Sequence, residues 1–460
     1  AQLTVVDDAV DALQEESRFL SVNSGTTAPA ATATGADAVA LGSSAAAQGI
    51  NATAVGKGSQ ANVDGASAFG TNAVIDSING TALGINAKVG LSSVDAIAIG
   101  NGAEVKGTLG TNFATKGVAI GAGAKVSKES GVALGDGATV TATGTNGLAL
   151  GKEANVAGVD AIALRGSATG SNAVAVGVGS SATSGNTIAL LGSASASGAV
   201  ALGAGSSATG VDSIALRGSA PGIDSIAIGR LATTGAFASR SIAVGQGANA
   251  GADDAIALAG NAAGGKSVAI GVGSNAAAFE AVALGRFAVA LDQNAIAVGK
   301  GSQANATGAS VLGTDAVSDS LNGTALGKNS KVGLGSADAI ALGNGAQVSK
   351  GTAVGATATK GVAIGAGAKV FKDSGVALGD GATVTATGTN GLALGKGASV
   401  AGVDAIALRG SASGTNAVAV GLGSSATGAD ALALRGSAAA ASSVAIGVGT
   451  NVNANATDGV

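Results

Sequence analysis

The chain has 460 residues and a mass of 41.8 kDa, so small residues dominate it. It contains 80 Gly and 7 Phe, and no Trp, Tyr, Met, Cys or His. This composition excludes a thick globular core, because few side chains are large enough to fill one. Hydrophobic residues still make up 46%, which argues against intrinsic disorder. We therefore expect a thin, long structure with a closely spaced core.

The missing residue types also exclude several kinds of chemistry. Without His or Cys there is no Ser-His-Asp triad, thiol nucleophile, common zinc or haem ligand set, or disulfide. The 24 basic and 28 acidic residues give a net charge of −4, which does not favour nucleic acid binding. No apolar run approaches the roughly 18–20 residues that span a bilayer. We predict a protein that is not an enzyme and has no cofactor and no metal.

A tetrad of branched residue, Ala, branched residue and Gly recurs from Gly42 to Gly447. There are 31 copies, including the degenerate GTLG at Gly107–Gly110, most often 14 residues apart with variants of 12 and 16. A second short segment of the form GxGAxVxA often follows, as at Gly121–Val126. This period predicts one coil of a β-solenoid with two short strands, and the fold class is all-β.

Strand alternation places the first and third tetrad residues on one face and the second on the other. The first and third are mostly Val, Ile or Leu, so we expect them to line the interior. The second is Ala in 29 of 31 copies. An outward column of Ala implies close contact with another surface, for which an identical chain is the simplest partner. We therefore predict a homo-oligomer whose interface includes Ala40, Ala98, Ala133, Ala163, Ala269, Ala297, Ala341 and Ala407.

Two features of the sequence mark the turns. Asp or Asn stands five residues before the end of 18 tetrads, as at Asp37 and Asn51, and we interpret these residues as turn formers rather than acids or calcium ligands. In six coils the closing Gly is replaced, and the next interval is then 12. We expect these shorter turns not to need a positive φ, and Arg165 to pair with Asp160. The six residues are Arg165, Leu191, Arg217, Ala259, Arg409 and Arg435.

The organisation along the chain follows from these features. Residues 1–21 have a heptad-like apolar spacing typical of a short coiled coil, and 22–35 form a connector. The solenoid of about 31 coils covers 36–450, and 451–460 form a tail. The solenoid contains an internal duplication of about 55–178 and 298–422. Duplication of a large part of the molecule favours a function that depends on its length or on repeated contacts rather than on one active site.

The tetrad array, the Asp or Asn before it and the flanking coiled coil resemble the YadA-like head of trimeric autotransporter adhesins over roughly 36–450. The head consensus N-S-V-A-I-G-x-x-S is similar to KSVAIGVGS at Lys266–Ser274 and NAVAVGVGS at Asn172–Ser180. Ala1-Gln2-Leu3 resembles the end of the neck motif DAVNVAQL. The resemblance implies a homotrimer of left-handed parallel β-rolls on a Gram-negative cell surface, with membrane contact only through a C-terminal anchor outside this chain.

The resemblance also implies a role in attachment to host matrix proteins of the collagen or fibronectin type, to cell-surface receptors or to abiotic surfaces. The consensus is linked to collagen binding, and Lys266 stands where it has Asn. Exposed turn lysines are further contact candidates. The candidate ligand-binding residues are Lys266, Ser267, Ser274, Asn172, Ser180, Lys57, Lys88, Lys300 and Lys331, together with Lys152 and Lys396.

Other functions fit the residues less well. A single-chain ice-binding solenoid or a structural spacer would also be a thin repeat rod, but the Thr139, Thr141 and Thr143 triplet does not run through adjacent coils. A solenoid enzyme would need clustered catalytic residues. The P-loop pattern at Gly260–Ser267 leads straight into another solenoid strand rather than a helix. We therefore favour the adhesin head.

Overall fold

The computed structural model describes residues 29–108, 110, 113–351 and 357–456. These residues form strands and turns, and none of them is helical. The predicted coiled coil at 1–21 and most of the connector lie outside the described residues, as do the last four residues of the tail. By contact density the chain divides into two units, Ala1–Asp212 and Ser213–Val460. Within each unit, short strands alternate with one-residue-longer strands along the chain.

The first unit has thirteen described two-residue strands, which carry odd numbers, and twelve three-residue strands, which carry even numbers. In chain order they are β1 Thr32–Ala33, β2 Val39–Leu41, β3 Ala46–Ala47, β4 Thr53–Val55, β5 Gln60–Ala61, β6 Ser67–Phe69, β7 Val74–Ile75, β8 Thr81–Leu83, β9 Lys88–Val89, β10 Ile97–Ile99, β11 Glu104–Val105, β12 Val118–Ile120, β13 Lys125–Val126, β14 Val132–Leu134, β15 Thr139–Val140, β16 Leu148–Leu150, β17 Asn155–Val156, β18 Ile162–Leu164, β19 Ser167–Ala168, β20 Val174–Val176, β21 Ser181–Ala182, β22 Ile188–Leu190, β23 Ser193–Ala194, β24 Val200–Leu202 and β25 Ser207–Ala208.

The second unit has seventeen described strands of each kind. They are β26 Ile214–Leu216, β27 Ser219–Ala220, β28 Ile226–Ile228, β29 Thr233–Thr234, β30 Ile242–Val244, β31 Asn249–Ala250, β32 Ile256–Leu258, β33 Asn261–Ala262, β34 Val268–Ile270, β35 Asn275–Ala276, β36 Val282–Leu284, β37 Val289–Ala290, β38 Ile296–Val298, β39 Gln303–Ala304, β40 Ser310–Leu312, β41 Val317–Ser318, β42 Thr324–Leu326, β43 Lys331–Val332, β44 Ile340–Leu342, β45 Gln347–Val348, β46 Val362–Ile364, β47 Lys369–Val370, β48 Val376–Leu378, β49 Thr383–Val384, β50 Leu392–Leu394, β51 Ser399–Val400, β52 Ile406–Leu408, β53 Ser411–Ala412, β54 Val418–Val420, β55 Ser425–Ala426, β56 Leu432–Leu434, β57 Ser437–Ala438, β58 Val444–Ile446 and β59 Asn451–Val452.

Each unit is a parallel β-solenoid in which every coil contributes one strand to each of two sheets. The coil 118–131 shows the plan: the long strand β12, a first turn at 121–123, the short strand β13 and a second turn at 127–130. Strand β12 pairs in parallel with β14, and β13 pairs with β15. Equivalent residues therefore stack on one another from coil to coil. We call the two layers the long-strand sheet and the short-strand sheet.

The interior of the solenoid consists mainly of alanine. In the coil 118–131 the inward residues are Ala119, Ala124 and Val126, all 0–1% exposed. Ala is repeated at the equivalents of Ala119 with the exception of Val311, and the equivalents of Ala124 are mostly Ala, Ser or Gly. Val311 and the Val or Ile residues at the third position are the largest fully buried side chains. The prediction of a thin core made of small residues is confirmed.

The assignment of the two faces of the long strand was wrong. The second tetrad residue points inward, because seven of the eight alanines predicted at an oligomer interface are 0% exposed within one chain. Ala40, in the first described coil, is half-buried. These side chains are covered by their own chain and cannot contact another. The seven fully buried residues are Ala98, Ala133, Ala163, Ala269, Ala297, Ala341 and Ala407. The first and third tetrad residues, which were expected inside, face outward.

The interior is filled by matching residue sizes between coils. Gly131 lies between Val126 and Val140, and a Cβ placed on it would be 2.9 Å from a Cγ1 atom of each valine. Gly117 is held in the same way between Val105 and Val126. Interiors packed this closely have no room for an added methyl group without movement of their neighbours. Gly117 and Gly131 therefore fit where a valine lies on both sides.

The turns need left-handed backbone at fixed places. The glycine that directly follows a long strand has φ between +94° and +147°, a range that favours Gly alone. The Asp or Asn of the second turn has φ near +55°, as at Asp37 (53°) and Asn172 (54°). Asn and Asp are among the few residues that tolerate this left-handed region. Their prediction as turn formers is confirmed.

The expectation for the six replaced glycines is corrected. Arg165 and Arg409 have φ of 55° and 56°, so a positive φ is still required after the loss of two residues. The replacement changes the backbone from a conformation that only glycine adopts readily to the left-handed helical region, which other residues adopt at some energetic cost. Arg165 also does not pair with Asp160: that carboxylate accepts a hydrogen bond of 2.9 Å from Asn146 of the preceding coil.

The described residues contain 29 long strands rather than 31. Strand β10 pairs directly with β12, with Ile97 opposite Val118, so the tetrad at 107–110 adds no strand between them. Likewise, β44 pairs directly with β46, and the sequence between them includes the tetrad at 352–355, which lies outside the described residues. A tetrad in the sequence is therefore not sufficient for a coil.

We predict that Gly131→Ala destabilises the protein by about 1–3 kcal/mol, because its methyl group would overpack the two adjacent valines. A urea titration followed by far-UV circular dichroism measures the change, since the chain has no Trp or Tyr. Combining Gly131→Ala with Val140→Ala should recover part of the loss.

Gly185→Ala is the matched control. A Cβ at Gly185 would meet only one atom, the Ser171 carbonyl oxygen at 3.9 Å, and no positive φ is required there. This change should be neutral or stabilising by less than about 1 kcal/mol. A Gly131→Ala protein with an unchanged urea midpoint would contradict the close-packed interior.

Candidate interaction surfaces

The outer face of the long-strand sheet is apolar in both units. All 29 long strands carry an apolar third residue, and 24 carry Val, Ile or Leu at the first position, the others being Ser or Thr. Many of these side chains remain accessible, including Leu83 (47% exposed) in the first unit and Leu312 (50%) in the second. No strand of this sheet carries a charged residue. A contiguous apolar surface of this kind usually marks a contact with another macromolecule.

The outer face of the short-strand sheet has the opposite character. Its outward positions are mostly Ser, Asn, Gln, Thr and Lys, as at Lys125, Gln303 and Ser411. Neighbouring polar side chains on this face also bond to one another. Asn249 Nδ2 donates to Asn261 Oδ1 at 2.7 Å, and Asn261 Nδ2 donates to Asn275 Oδ1 at 2.8 Å. One outer face of each coil is thus suited to water and the other is not.

The consensus segment Lys266–Ser274 is largely engaged within its own chain. Ser267 is 0% exposed and Ser274 is 1% exposed, and the Ser274 hydroxyl donates to the Gly271 carbonyl at 2.8 Å. Lys266 lies in the second turn, where its Nζ is 3.5 Å from Glu280 Oε1 and 5.1 Å from the centre of the Phe279 ring. The two serines therefore cannot serve as ligand contacts in this conformation.

The second consensus segment, Asn172–Ser180, has the same arrangement. Ser180 is 2% exposed and its hydroxyl donates to the Gly177 carbonyl at 2.7 Å. Asn172 is exposed in the second turn and donates through Nδ2 to Asn186 Oδ1 at 3.1 Å. Asn172 thus remains an accessible contact candidate, whereas Ser180 is a structural residue.

The candidate lysines lie on two different surfaces. Lys57, Lys152, Lys300 and Lys396 are exposed in first turns, directly after a long strand. Lys88 and Lys331 instead lie on the outer face of the short-strand sheet, in β9 and β43. Since Lys266 and Asn172 lie in second turns, the sequence-predicted contacts do not converge on one site.

A charge ladder runs along second turns of the second unit. Arg240, Asp254, Lys266 and Glu280 occupy equivalent left-handed positions in successive coils, with φ between 54° and 57°. Arg240 donates through Nε and Nη2 to the two Asp254 oxygens at 2.7 and 2.9 Å. These hydrogen bonds, supported by the Arg240 charge, lower the pKa of Asp254. This ladder was not predicted from the sequence, although the alternation of charges at one coil position indicates it.

Several other functions lack a structural basis in the described residues. Thr139 stacks on Lys125 and Asn155, so no threonine column of the kind that would order ice forms there. The P-loop pattern at 260–267 includes the short strand β33 and runs into β34. No three acidic side chains in the described segments come close enough together to hold a metal ion. In the same segments, no helix is long and apolar enough to cross a membrane.

These features define a parallel β-roll built from short repeats, with one apolar and one polar outer face. The family model for the YadA head domain repeat, which spans two copies of the repeat, matches eleven segments that together cover more than half of the chain. They are 29–45, 47–73, 114–138, 142–164, 168–190, 194–216, 238–258, 278–302, 356–382, 386–408 and 412–434. The chain therefore belongs to the YadA-like heads of trimeric autotransporter adhesins. No curated protein matches it.

We predict that Arg240→Asn raises the pKa of Asp254 towards its ordinary value, because the paired hydrogen bonds and the adjacent positive charge are lost. Asn tolerates the left-handed backbone at this position, so the turn should persist. Carboxyl carbon chemical shifts followed by NMR through an acid titration measure the pKa.

The sign of the pH effect follows from the direction of the shift. Because the folded-state pKa of Asp254 is lowered, the pair stabilises the fold above the ordinary Asp pKa of about 3.9, and this contribution is lost as the pH falls through the folded value. Lys266→Asn is the control, and it should raise the pKa of Asp254 less, since Lys266 acts only through its charge. Equal effects of the two changes would contradict the hydrogen-bonded pair.

Proposed function

We propose that this chain is the head region of a homotrimeric bacterial surface adhesin, in which the apolar outer faces of three long-strand sheets contact one another. The observation that carries the proposal is the contrast between the two outer faces of every coil. If this face were exposed to water, charged residues would be tolerated on it, yet none of the 29 described long strands carries one. Family membership supports the trimer as the form in which this face is covered.

The same arrangement supports attachment by repeated contacts. Each coil offers turns and a polar face to the surroundings, and a trimer presents three copies of them. Many weak contacts on one assembly give strong attachment through avidity, without a deep pocket. We propose that the head projects from the outer membrane in the full-length protein. Its targets would be host matrix proteins of the collagen or fibronectin type, host cell receptors, or abiotic surfaces.

Sedimentation equilibrium tests the trimer directly. The chain should sediment at about 125 kDa, three times its 41.8 kDa mass, as expected for a closed symmetric trimer. The triple variant Val282→Glu, Ile340→Glu and Val376→Glu places carboxylates on the apolar face of β36, β44 and β48. A buried unpaired carboxylate costs several kcal/mol, so this variant should dissociate to monomers.

A second triple variant with the same charge change is the control. Val289→Glu, Gln347→Glu and Thr383→Glu lie on the outer face of the short-strand sheet in the following strands β37, β45 and β49. Glu104 occupies the equivalent position in the first unit, between Lys88 and Lys125, so a carboxylate is compatible with this face. The control should remain trimeric. A monomeric wild-type chain, or dissociation of the control alone, would overturn the proposed interface.

Attachment is tested with the same three proteins on surfaces coated with collagen or fibronectin. If avidity sets the strength, the monomeric variant should show about 10²–10⁴-fold weaker apparent affinity than the trimer, while the control variant matches the wild type. Biolayer interferometry gives the dissociation rates, in which the difference should mainly appear. Equal apparent affinity of monomer and trimer would exclude multivalent attachment, and no binding to either protein would exclude these two matrix targets.

A further inference from the structure

The short coils create two matching clefts on the edge formed by the first turns. In the coil 162–173 the first turn is shortened to Arg165 and Gly166, whereas the coils before and after it keep full turns. A cleft of about 490 Å³ opens there. The duplicated segment of the second unit contains its counterpart, a cleft of about 550 Å³ at Arg409 and Gly410.

The lining of both clefts is rich in hydrogen-bond donors. Lys152, Arg165, Ser167 and Ser181 surround the first, and their counterparts Lys396, Arg409, Ser411 and Ser425 surround the second. The glycine of the short coil forms the floor, since a Cβ at Gly410 would lie 2.2 Å from the Ser424 hydroxyl oxygen. An exposed aliphatic side chain stands at each rim, Val178 (67% exposed) in the first and Leu422 (76%) in the second.

The charges of the clefts are not neutralised by strong pairs. Lys152 Nζ is 4.0 Å from Glu153 Oε1, and Lys396 Nζ is 4.0 Å from Asp380 Oδ2, all on exposed side chains. In the described residues no ion pair involves Arg165 or Arg409. The stem of each arginine packs on the backbone of the preceding coil: a Cβ at Gly395 would lie 2.6 Å from Arg409 Cγ. Each cleft thus brings a guanidinium next to the coil that carries an ammonium group.

The two copies differ mainly where the clefts are lined. Between residues 153–182 and 397–426 five positions differ, and three of them involve a residue that lines a cleft: Glu153 becomes Gly397, Val178 becomes Leu422, and Asn155, which lines the first cleft, becomes Ser399. The Lys and Arg are the same in both. The second cleft therefore lacks the acidic side chain of the first. Outside this cleft, a further arginine, Arg435, lies at the equivalent position two coils along the same edge.

We propose that these two clefts bind acidic polysaccharide through its sulfate or carboxylate groups. Arginine and lysine form charge-assisted hydrogen bonds with such groups, and the serine hydroxyls bond to sugar hydroxyls. The aliphatic rim residue packs against the apolar face of a sugar ring. In the second unit Arg409 and Arg435 are two strand spacings of about 4.8 Å apart, a separation suited to a polymer that repeats its charge. This inference names a ligand class for the proposed adhesin head and rests on that function.

The test uses the full chain and three oligosaccharides of equal length: a heparin-derived sulfated one, its desulfated and N-acetylated form that keeps only carboxylates, and neutral dextran. Isothermal titration calorimetry gives the dissociation constants. We expect one or both anionic oligosaccharides to bind and dextran not to bind. The sulfated and carboxylate forms then distinguish which anion the clefts prefer. Binding of dextran as strong as that of both anionic forms, or binding of neither anionic form, would overturn the proposal.

Paired variants locate the binding. Arg165→Asn with Arg409→Asn removes both guanidinium groups while keeping residues that tolerate a positive φ, and should weaken binding at least about tenfold. Arg165→Lys with Arg409→Lys keeps the charge and should recover part of the affinity. The control pair, Lys125→Gln with Lys369→Gln, removes one charge from each duplicated segment on the outer face of the short-strand sheet and should leave binding unchanged.

The outcomes separate this inference from the proposed function. Equal losses in the control and arginine pairs would show a diffuse charge effect and contradict the clefts. Because each cleft lies within one chain, the monomeric triple-glutamate variant should bind the oligosaccharide with the same dissociation constant per chain as the wild type. Loss of oligosaccharide binding in the asparagine pair with trimer mass and circular dichroism intact supports the clefts, whatever the matrix-binding result.

Discussion

The structure depends on the parallel stacking of each coil on its own equivalent. Neighbouring strands lie about 4.8 Å apart, so every inward side chain meets the side chains at the same position in the coils above and below. Ala98, Ala119 and Ala133 form such a stack. Because the two strands of each coil are only two or three residues long, the space between the two sheets holds mainly small side chains. Val or Ile fits where a neighbouring residue is Gly. The high Ala and Gly content of the chain follows from this constraint.

The repeat period, the two strands per coil and the turn positions could be predicted from the sequence, because each depends on local spacing and on residues such as Asp37 and Asn51 with strong backbone preferences. Which face of the long strand points inward could not be predicted. Alternation shows that Val118 and Ala119 point to opposite sides, but not which side is inside, and the usual burial of branched residues favoured the wrong choice. Two features of the sequence favoured the opposite choice. The residue before each long strand, which belongs to the same inward set as the second tetrad residue, is always small, and Gly131 compensates in size for Val126 and Val140.

Three of the candidate contacts, Ser180, Ser267 and Ser274, are buried for a related reason. A consensus match identifies residues that the fold needs, and a serine such as Ser267 or Ser274 is part of the match because it packs inside the coil. The number of coils was overestimated because the tetrad at 107–110 has the right pattern but sits between two strands that pair without it. Sequence spacing alone cannot show which two long strands pair directly with each other. The clefts were also missed, although the two short coils that contain them were visible as substitutions of the closing glycine by Arg165 and Arg409.

The turns between the strands tolerate deletions and changes of residue type better than the strands do. An insertion or deletion inside a strand would shift every later residue to the opposite face, so both sheets must keep their register. The first turn instead lost two residues at Arg165 and at Arg409 while the strands on either side remained paired, as β18 with β20 and β52 with β54. The same freedom permits Glu153 and Gly397 at equivalent places in the two duplicated segments. A solenoid of this kind can therefore keep one apolar face for assembly while its turns diverge in shape and charge, and duplication supplies the copies on which that divergence acts.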